Sequence, residues 1–440
     1  MGLTKKIVHN TAYQITGKAI STFLGLLAVM ILTRHLGVEK FGWYVTAVGF
    51  MQFIIILSDF GFTVTTAGLL ADPKMDKKKL LNTLFTLRFV TGFVFNLVAA
   101  LLIWLFPYPT EIKLAAVILS LSFFFISLNQ VFWGYYQEKL KMAVPAMAEF
   151  LSRIVLVIGL YLMMRGNYGF LPMMIMITGA AGVLTLYLWI KSEGVKFFIE
   201  RKYLPKIFVH MWPLAISIIF NAIYLQGDKV ILPLFVSQIE VGLYGASFRV
   251  LEILIQITAL IVGTLLPLLA FAYNIKDKKL FEKRTQMTFD LMSFLILPMI
   301  FGIFVLATPI IKMIAGEEFA QSGLILQAIS PAIAAMLFGM TFGHIVLAMS
   351  KQKKTLWIYI SDAIISIILY FIFIPLYGLW GAVGVVIFSE LYAGILLTIM
   401  AIRLSKFMPS FVNFIKIIFA CTVMALGSYY LPSPHVLVSI

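Results

Sequence analysis

The chain has 440 residues, of which 62% are hydrophobic, with a mean hydropathy of +1.01. That exceeds what a water-soluble core can bury, so a soluble globular protein is excluded and lipid must be the solvent. The net charge of +15 would suggest nucleic acid in a soluble chain, but here the basic residues fall in alternate connections between apolar runs, which no nucleic-acid-binding face would do.

In chain order, apolar runs predict membrane spans near 11–33, 41–63, 81–106, 114–136, 143–164, 170–190, 207–234, 241–273, 287–310, 322–349, 355–377, 379–401 and 411–431. Each is long enough, at about 1.5 Å per residue, to cross roughly 30 Å of hydrocarbon. The start, Met1-Gly2-Leu3-Thr4-Lys5-Lys6, runs into the first span without a small-residue cleavage site and reads as uncleaved. Lys6 also stands where a myristoylation pattern needs Ser or Thr. In the first span Thr11, Gln14, Lys18 and Ser21 recur at steps of three and four, forming one polar face. The connection 191–206 carries Lys191, Lys196, Arg201, Lys202 and Lys206 around Phe197 and Phe198. It reads as an interfacial amphipathic helix, with a featureless charged loop as the alternative. Span seven repeats the polar stripe with Ser217, Asn221, Tyr224 and Asp228.

Two echoes suggest an internal repeat. Gly42-Trp43-Tyr44 opens span two and Gly242-Leu243-Tyr244 opens span eight; Tyr168-Gly169-Phe170 precedes span six and Tyr377-Gly378-Leu379 precedes span twelve. Both pairs have matching topology, so two six-helix units would be related by an axis along the membrane normal. The expected fold is all-α and polytopic, with 12–14 transmembrane helices in two pseudo-two-fold bundles around a central cleft. The expected divisions are 1–190, a cytoplasmic interfacial linker at 191–206, a second bundle at 207–402, and one or more extra C-terminal spans in 403–440. The final stretch from Leu431 to Ile440 reads as a truncated fourteenth span or a short outer tail.

Lys and Arg number 23 in the connections on one side and 5 on the other (Arg34, Lys40, Lys113, Arg165 and Lys312). The excess puts the N-terminus and the basic loops in the cytoplasm, and the chain is expected to be multi-pass in the cytoplasmic (inner) membrane. All seven Trp (43, 104, 133, 189, 212, 357 and 380) fall near span ends, where an amphipathic ring suits the headgroups. The single cysteine, Cys421, excludes an intramolecular disulfide.

Ions inside the spans are costly, about 2.5 to 3.5 kcal/mol each at a helix centre, so they need partners or water. The cations are Lys18, Arg88, Arg153, Lys229, Arg249 and Lys416; the acids are Asp59, Glu149, Asp228, Glu252, Asp290, Asp362 and Glu390. Glu149 with Arg153 and Arg249 with Glu252 have helix-face spacing for pairing. Asp290 and Lys416 lie close enough to the cytoplasmic side to snorkel. Lys18, Arg88, Asp362 and Glu390 have no oppositely charged partner on their own helix face and are the stronger functional candidates. A cleft with several cations suits an anionic head group such as a pyrophosphate-linked lipid. The expected binding set is Lys18, Arg88, Arg153, Lys229, Arg249, Gln14 and Asn221. Asp59, Asp228, Glu252, Asp362 and Glu390 are the candidates for coupling to H+ or Na+, since a poorly solvated carboxylate can exchange protons. No metal cluster, nucleophile elbow or phosphate-cradling loop is present, so no catalytic residue, metal or cofactor is expected. His210 and His344 read as hydrogen-bonded packing residues.

The segment from Leu32-Thr33-Arg34-His35-Leu36-Gly37 through Val38-Glu39-Lys40-Phe41-Gly42-Trp43-Tyr44 resembles the link between the first two helices of the polysaccharide-biosynthesis (O-antigen-type oligosaccharide) flippases, within the multidrug/oligosaccharidyl-lipid/polysaccharide exporter superfamily. Weaker matches are Ser58-Asp59-Phe60-Gly61-Phe62, Gly227-Asp228-Lys229 before Val241-Gly242-Leu243-Tyr244, and Gly316-Glu317-Glu318-Phe319. The resemblance implies two bundles rocking about a central cleft, with undecaprenyl-pyrophosphate-linked sugar units as cargo. The sugar would cross inside while the tail stays in lipid. It makes membrane lipids, a polysaccharide polymerase and glycosyltransferases the expected partners. A multidrug or cation exporter of the same superfamily is the nearest alternative; it would want an acidic, aromatic cleft. A membrane-embedded polysaccharide polymerase or ligase is a further one, against which stands the lack of a large outer loop.

Overall fold

The computed structural model describes residues 3–59, 62, 66, 69, 75–192 and 194–430; within these, the side chains of 3–12, 15, 210, 212–218, 221, 224–225 and 428–430 are not described. The tail from Leu431 therefore lies outside the described residues. The backbone is helical almost throughout, as it must be where lipid offers no hydrogen bonds. A run from Leu3 to Asp59 breaks at Gly37 (φ 69°, ψ 178°) into α1 (3–36) and α2 (38–59). The positive φ is one that glycine adopts without steric cost. There follow α3 (Lys77–Leu102), α4 (Thr110–Glu138), α5 (Ala143–Arg165), α6 (Phe170–Lys191), α7 (Leu204–Ile231), α8 (Gln238–Asn274), α9 (Lys278–Ala315), α10 (Ala320–Ala348), α11 (Leu356–Tyr377), α12 (Leu379–Ser405) and α13 (Val412–Tyr430).

These rods fall where the thirteen apolar runs were. Ten helical segments among the described residues are long and apolar enough to cross a membrane, the α1–α2 run being counted as one. Its 44 apolar-segment residues would extend about 66 Å at 1.5 Å per residue, twice the hydrocarbon thickness, so the run holds two crossings. Outside that count stand α7, many of whose side chains are not described, and α13, whose apolar part is the shorter stretch Val412–Gly427.

Contacts group the chain into two units, residues 1–242 and 243–440. The first takes in α7, which packs on the α1–α2 run, whereas the sequence division fell at 191–206. Its core has two parts. One gathers Ala47, Met51, Ala115, Leu160 and Met173 from α2, α4, α5 and α6; the other gathers Leu80, Leu84, Phe132, Tyr136 and Leu188 from α3, α4 and α6. In a bilayer such packing cannot rely on the hydrophobic effect between helices, so small residues and polar bonds matter more.

Small residues set the closest approach. Gly42, Thr46 and Gly49 lie on one face of α2. A Cβ on Gly42 would run into the Gln238 carbonyl oxygen, Thr46 Oγ1 donates to Gln238 Oε1 at 2.8 Å, and a Cβ on Gly49 would stand 2.8 Å from that of Lys229. The crossing is reciprocal: a Cβ on Gly242 would run into the Val38 carbonyl oxygen. Each glycine thus meets the carbonyl four residues before the other, and the two lie 200 residues apart, at the positions the sequence echo picked out.

The described residues between α6 and the 3-10 turn at Arg201–Tyr203 are not helical. Residues 195–200 run extended along α3. Alternate backbone amides of Lys196, Phe198 and Glu200 donate to Asn82 Oδ1 (3.0 Å), Thr86 Oγ1 (2.9 Å) and Thr83 Oγ1 (3.0 Å). Phe197 packs its ring on Phe85 and Phe89, with centroids 5.5 and 4.9 Å away. The expected amphipathic helix gives way because three polar side chains of α3 satisfy an extended backbone that would otherwise lack partners.

In the second unit α10 packs against α9 and α12, and Gly339 and Gly394 face one another closely enough that a Cβ on Gly339 would be 2.8 Å from the Gly394 Cα. Phe289 of α9 is ringed by Phe342, Phe411 and Phe414 at 5.3 to 5.9 Å. Asp290 accepts from Gln286 Nε2 (2.9 Å) and Asn413 Nδ2 (3.1 Å), while Gln286 Oε1 accepts from the Ser410 amide at 2.7 Å. The carboxylate read as a snorkelling group therefore fastens α13 to α9.

Candidate functional site

The charges of the spans separate into those locked in dry packing and those left accessible. Arg88 is wholly buried, roughly 17 Å along α3 from Lys77 at 1.5 Å per residue. Its guanidinium donates to the Ser127 carbonyl (3.3 Å), the Ser58 carbonyl (3.1 Å), Asp59 Oδ1 (3.4 Å) and Gln130 Oε1 (2.5 Å), and lies 5.4 Å from the centre of the Phe62 ring. The five-donor fork suits this task, which an ammonium could not perform. In this conformation Arg88 shows no surface to a ligand; it ties the end of α2 to α3 and α4. Asp59 is likewise drawn inward as its partner.

The accessible set lies on α1 and α5, which run parallel. Their contacts advance together: Gly17 meets Ala146, Lys18 Nζ stands 3.9 Å from Glu149 Oε1, and Arg153 Nη1 lies where a Cβ on Gly25 would be 3.7 Å away. Lys18 keeps 45% of its side-chain surface exposed against 18% for Glu149, so the cation is the accessible member of the pair. Gln14 is exposed one turn before Lys18, Ser21 is buried, and Arg153 is half-buried. Glu149 thus pairs across helices with Lys18, not with Arg153 along its own helix. The i, i+4 spacing allowed the local pair; the parallel neighbour supplied a competing cation. The seam therefore carries two cations to one acid, a local excess of positive charge suited to an anion.

Lys229 is half-buried and Asp228 buried near the end of α7, close to Gly49 of α2. Of span seven's stripe, the side chains of Ser217, Asn221 and Tyr224 lie outside the described residues, as do those of Thr11 and His210.

In the second unit Arg249 Nη1 and Glu252 Oε2 are 2.8 Å apart, as their spacing suggested, and both are about three-quarters buried. Asp362 of α11 is fully buried and accepts from Ser366 Oγ (3.1 Å) and from Ser389 Oγ of α12 (3.0 Å). Among the described residues no Lys or Arg forms an ion pair with it. Glu390 follows Ser389 and lies within electrostatic reach of Tyr359, while Ser361 and Tyr392 share a hydrogen bond of 2.9 Å. Asp362 and Glu390 thus sit in one hydroxyl-rich patch between α11 and α12. Ser366 was legible as the residue four after Asp362; Ser389 had no signal until the two helices were placed side by side. His344 Nδ1 contacts the Met340 carbonyl at 2.8 Å, a local helix bond. Among the described residues no group of three or more His, Cys, Asp or Glu is placed to hold a metal ion.

An all-helical chain with ten described segments long and apolar enough to cross a membrane, cations exposed on one helix seam and a carboxylate buried among hydroxyls is a polytopic membrane protein with ionic groups inside its spans. The comparisons specify it further. The family described as polysaccharide biosynthesis protein matches residues 31–323, more than half of the chain, and the chain belongs to that family. A Shigella flexneri protein named as a candidate O-antigen transporter is 21% identical over 406 residues, covering 86% of this chain and 93% of its own. Among solved structures, the lipid II flippase MurJ in an inward closed conformation superposes with a TM-score of 0.81 at 17% identity, over 97% of this chain and 94% of its own. An inward-facing multidrug resistance transporter of the MATE family and MOP superfamily gives 0.73 at 14% identity, over 88% and 94%. The architecture is therefore that of the MurJ and MATE transporters.

Proposed function

We propose that the chain translocates polyprenyl-pyrophosphate-linked oligosaccharide units across the cytoplasmic membrane by alternating access, with its N-terminus in the cytoplasm. The observation that carries this reading is the α1–α5 seam, where Lys18 and Arg153 outnumber Glu149. A transporter of organic cations would want the opposite balance, whereas a pyrophosphate sheds water only where donors of this kind replace it. The excess of Lys and Arg on alternate loops supports the orientation. The family supports the cargo, which glycosyltransferases would build and a polymerase would consume. Lys18 and Arg153 are the first contacts for the anion, with Gln14 beside them, and Arg88 holds the scaffold behind.

Binding tests the assignment of the seam. With the purified chain in detergent and a fluorescent short-chain polyprenyl-pyrophosphate oligosaccharide, Lys18→Gln and Arg153→Gln are each expected to raise Kd about tenfold, equivalent to about 1.4 kcal/mol. Glu149→Gln, which removes the competing acid, is expected to leave Kd unchanged or lower it. Unaltered affinity in both cation variants would remove the seam from the pathway.

Asp362 is the residue we propose for coupling. Two carboxylate oxygens and two serine hydroxyls, with no Lys or Arg ion-paired to the carboxylate among the described residues, suit either a proton or a hard cation such as Na+. Asp362→Asn keeps the size and one of the two accepted hydrogen bonds, turns the other position into a donor, and loses the exchangeable charge. In vesicles carrying a pH or Na+ gradient it is expected to transport at a rate the gradient no longer changes. A variant still accelerated to the wild-type extent would move the coupling elsewhere.

A further inference from the structure

The α1–α5 seam changes character along its length. Beyond Arg153 the two helices wall a groove of about 520 Å³, lined by Leu27 to Arg34 on α1 and Val157 to Met164 on α5. Its lining is apolar apart from Arg34 and Tyr161. Arg34 lies about 10 Å beyond Leu27 at 1.5 Å per residue, close to the break at Gly37. At the same end Arg165 closes α5 with its guanidinium 5.8 Å from the centre of the Tyr161 ring, and His35 Nε2 contacts the Tyr168 carbonyl at 2.8 Å. Arg34, Ile158, Tyr161 and Arg165 are all exposed. The groove is therefore apolar along its run and basic at its mouth, at the depth where both helices leave the hydrocarbon.

We propose that this groove binds one anionic glycerophospholipid, with an acyl chain lying between α1 and α5 and the phosphate at Arg34 and Arg165. An apolar crevice open to a bilayer fills with hydrocarbon rather than water, because nothing along its apolar run short of Arg34 and Tyr161 would hydrogen-bond to water. The occupant is then chosen at its polar end. Guanidinium forks favour a phosphodiester that carries net negative charge over one whose own ammonium group neutralises it. Tyr161 offers its ring to the chain and its hydroxyl to the headgroup, the usual place of tyrosine at a membrane interface. A sugar head group would not fit this lining, so the site is separate from the cation seam below it and does not depend on what the protein carries.

The test uses the full chain, delipidated in non-ionic detergent and examined by native mass spectrometry with added dioleoyl phosphatidylglycerol or dioleoyl phosphatidylcholine. The wild type is expected to retain phosphatidylglycerol about tenfold more strongly. Arg34→Gln, an exposed change that spares packing, should bring the two lipids within about twofold of each other. Ile158→Trp, which fills the groove, should weaken both about tenfold while helix content by circular dichroism stays unchanged. The proposal is overturned by equal retention of the two lipids on the wild type, by an undiminished preference in Arg34→Gln, or by undiminished retention in Ile158→Trp. Displacement by inorganic phosphate at equal concentration would also overturn it, since the chain would then contribute nothing. Preferential displacement by polyprenyl phosphate would reassign the groove to the tail of the cargo.

Discussion

Arg88→Ala is expected to destabilise the first unit by about 3 to 5 kcal/mol, the cost of breaking a buried ion pair from one side. The substitution leaves Asp59, Gln130 and two backbone carbonyls without their donor in a region where water cannot replace it. Arg88→Lys should fall between, because an ammonium keeps the charge but cannot reach acceptors in four directions. Adding Asp59→Asn to Arg88→Met should recover part of the loss, since removing both charges spares the uncompensated carboxylate. Thermal unfolding in detergent, followed by tryptophan fluorescence, reads all four proteins. Equal stability of Arg88→Ala and wild type would show that the guanidinium is not the tie between α2, α3 and α4.

The second large effect is expected at the reciprocal glycine crossing. Gly42→Ala and Gly242→Ala each place a methyl group against a backbone carbonyl, Gln238 in one case and Val38 in the other, and a carbonyl cannot rotate out of the way as a side chain can. Each should cost at least the roughly 1 to 3 kcal/mol of an overpacked core site and lower transport tenfold or more. Because either methyl already parts the same two backbones, the double variant should cost less than the sum of the singles. Gly179→Ala on α6, where a Cβ would meet nothing within 4 Å, is the control and should be neutral or gain up to about 1 kcal/mol of helix propensity. If Gly42→Ala and Gly242→Ala unfold and transport like this control, the close crossing has no part in the working molecule.

The helices were legible because lipid demands long apolar runs and offers the backbone no alternative to internal hydrogen bonds. The link expected between the spans at 11–33 and 41–63 contains the break, at Gly37. What escaped was decided by neighbours. Residues 195–200 look amphipathic, yet Asn82, Thr83 and Thr86 of α3, more than a hundred residues earlier, hold them extended. Glu149 has a cation at the right spacing on its own helix, but Lys18 of a parallel helix takes it. Arg88 looked unpartnered because two of its acceptors are carbonyls, which every residue carries, and a third is Gln130, which has no periodic signature. Gly42, Thr46 and Gly49 did leave a trace, a small-residue face on α2, and its meaning depended on which helix it met. Sequence thus located the ions, and packing decided which of them are buried and which are exposed.

Movement of a lipid-linked sugar between leaflets can be followed directly. The purified chain is reconstituted into vesicles containing a fluorescent polyprenyl-pyrophosphate oligosaccharide, and an impermeant quencher is added to report the fraction in the outer leaflet over time. Transfer is expected to be protein-dependent and faster than in protein-free vesicles, to be slowed by Lys18→Gln and Arg153→Gln, and not to be inhibited by organic cations. Transfer no faster than in protein-free vesicles, with organic-cation export by the same preparation, would contradict it.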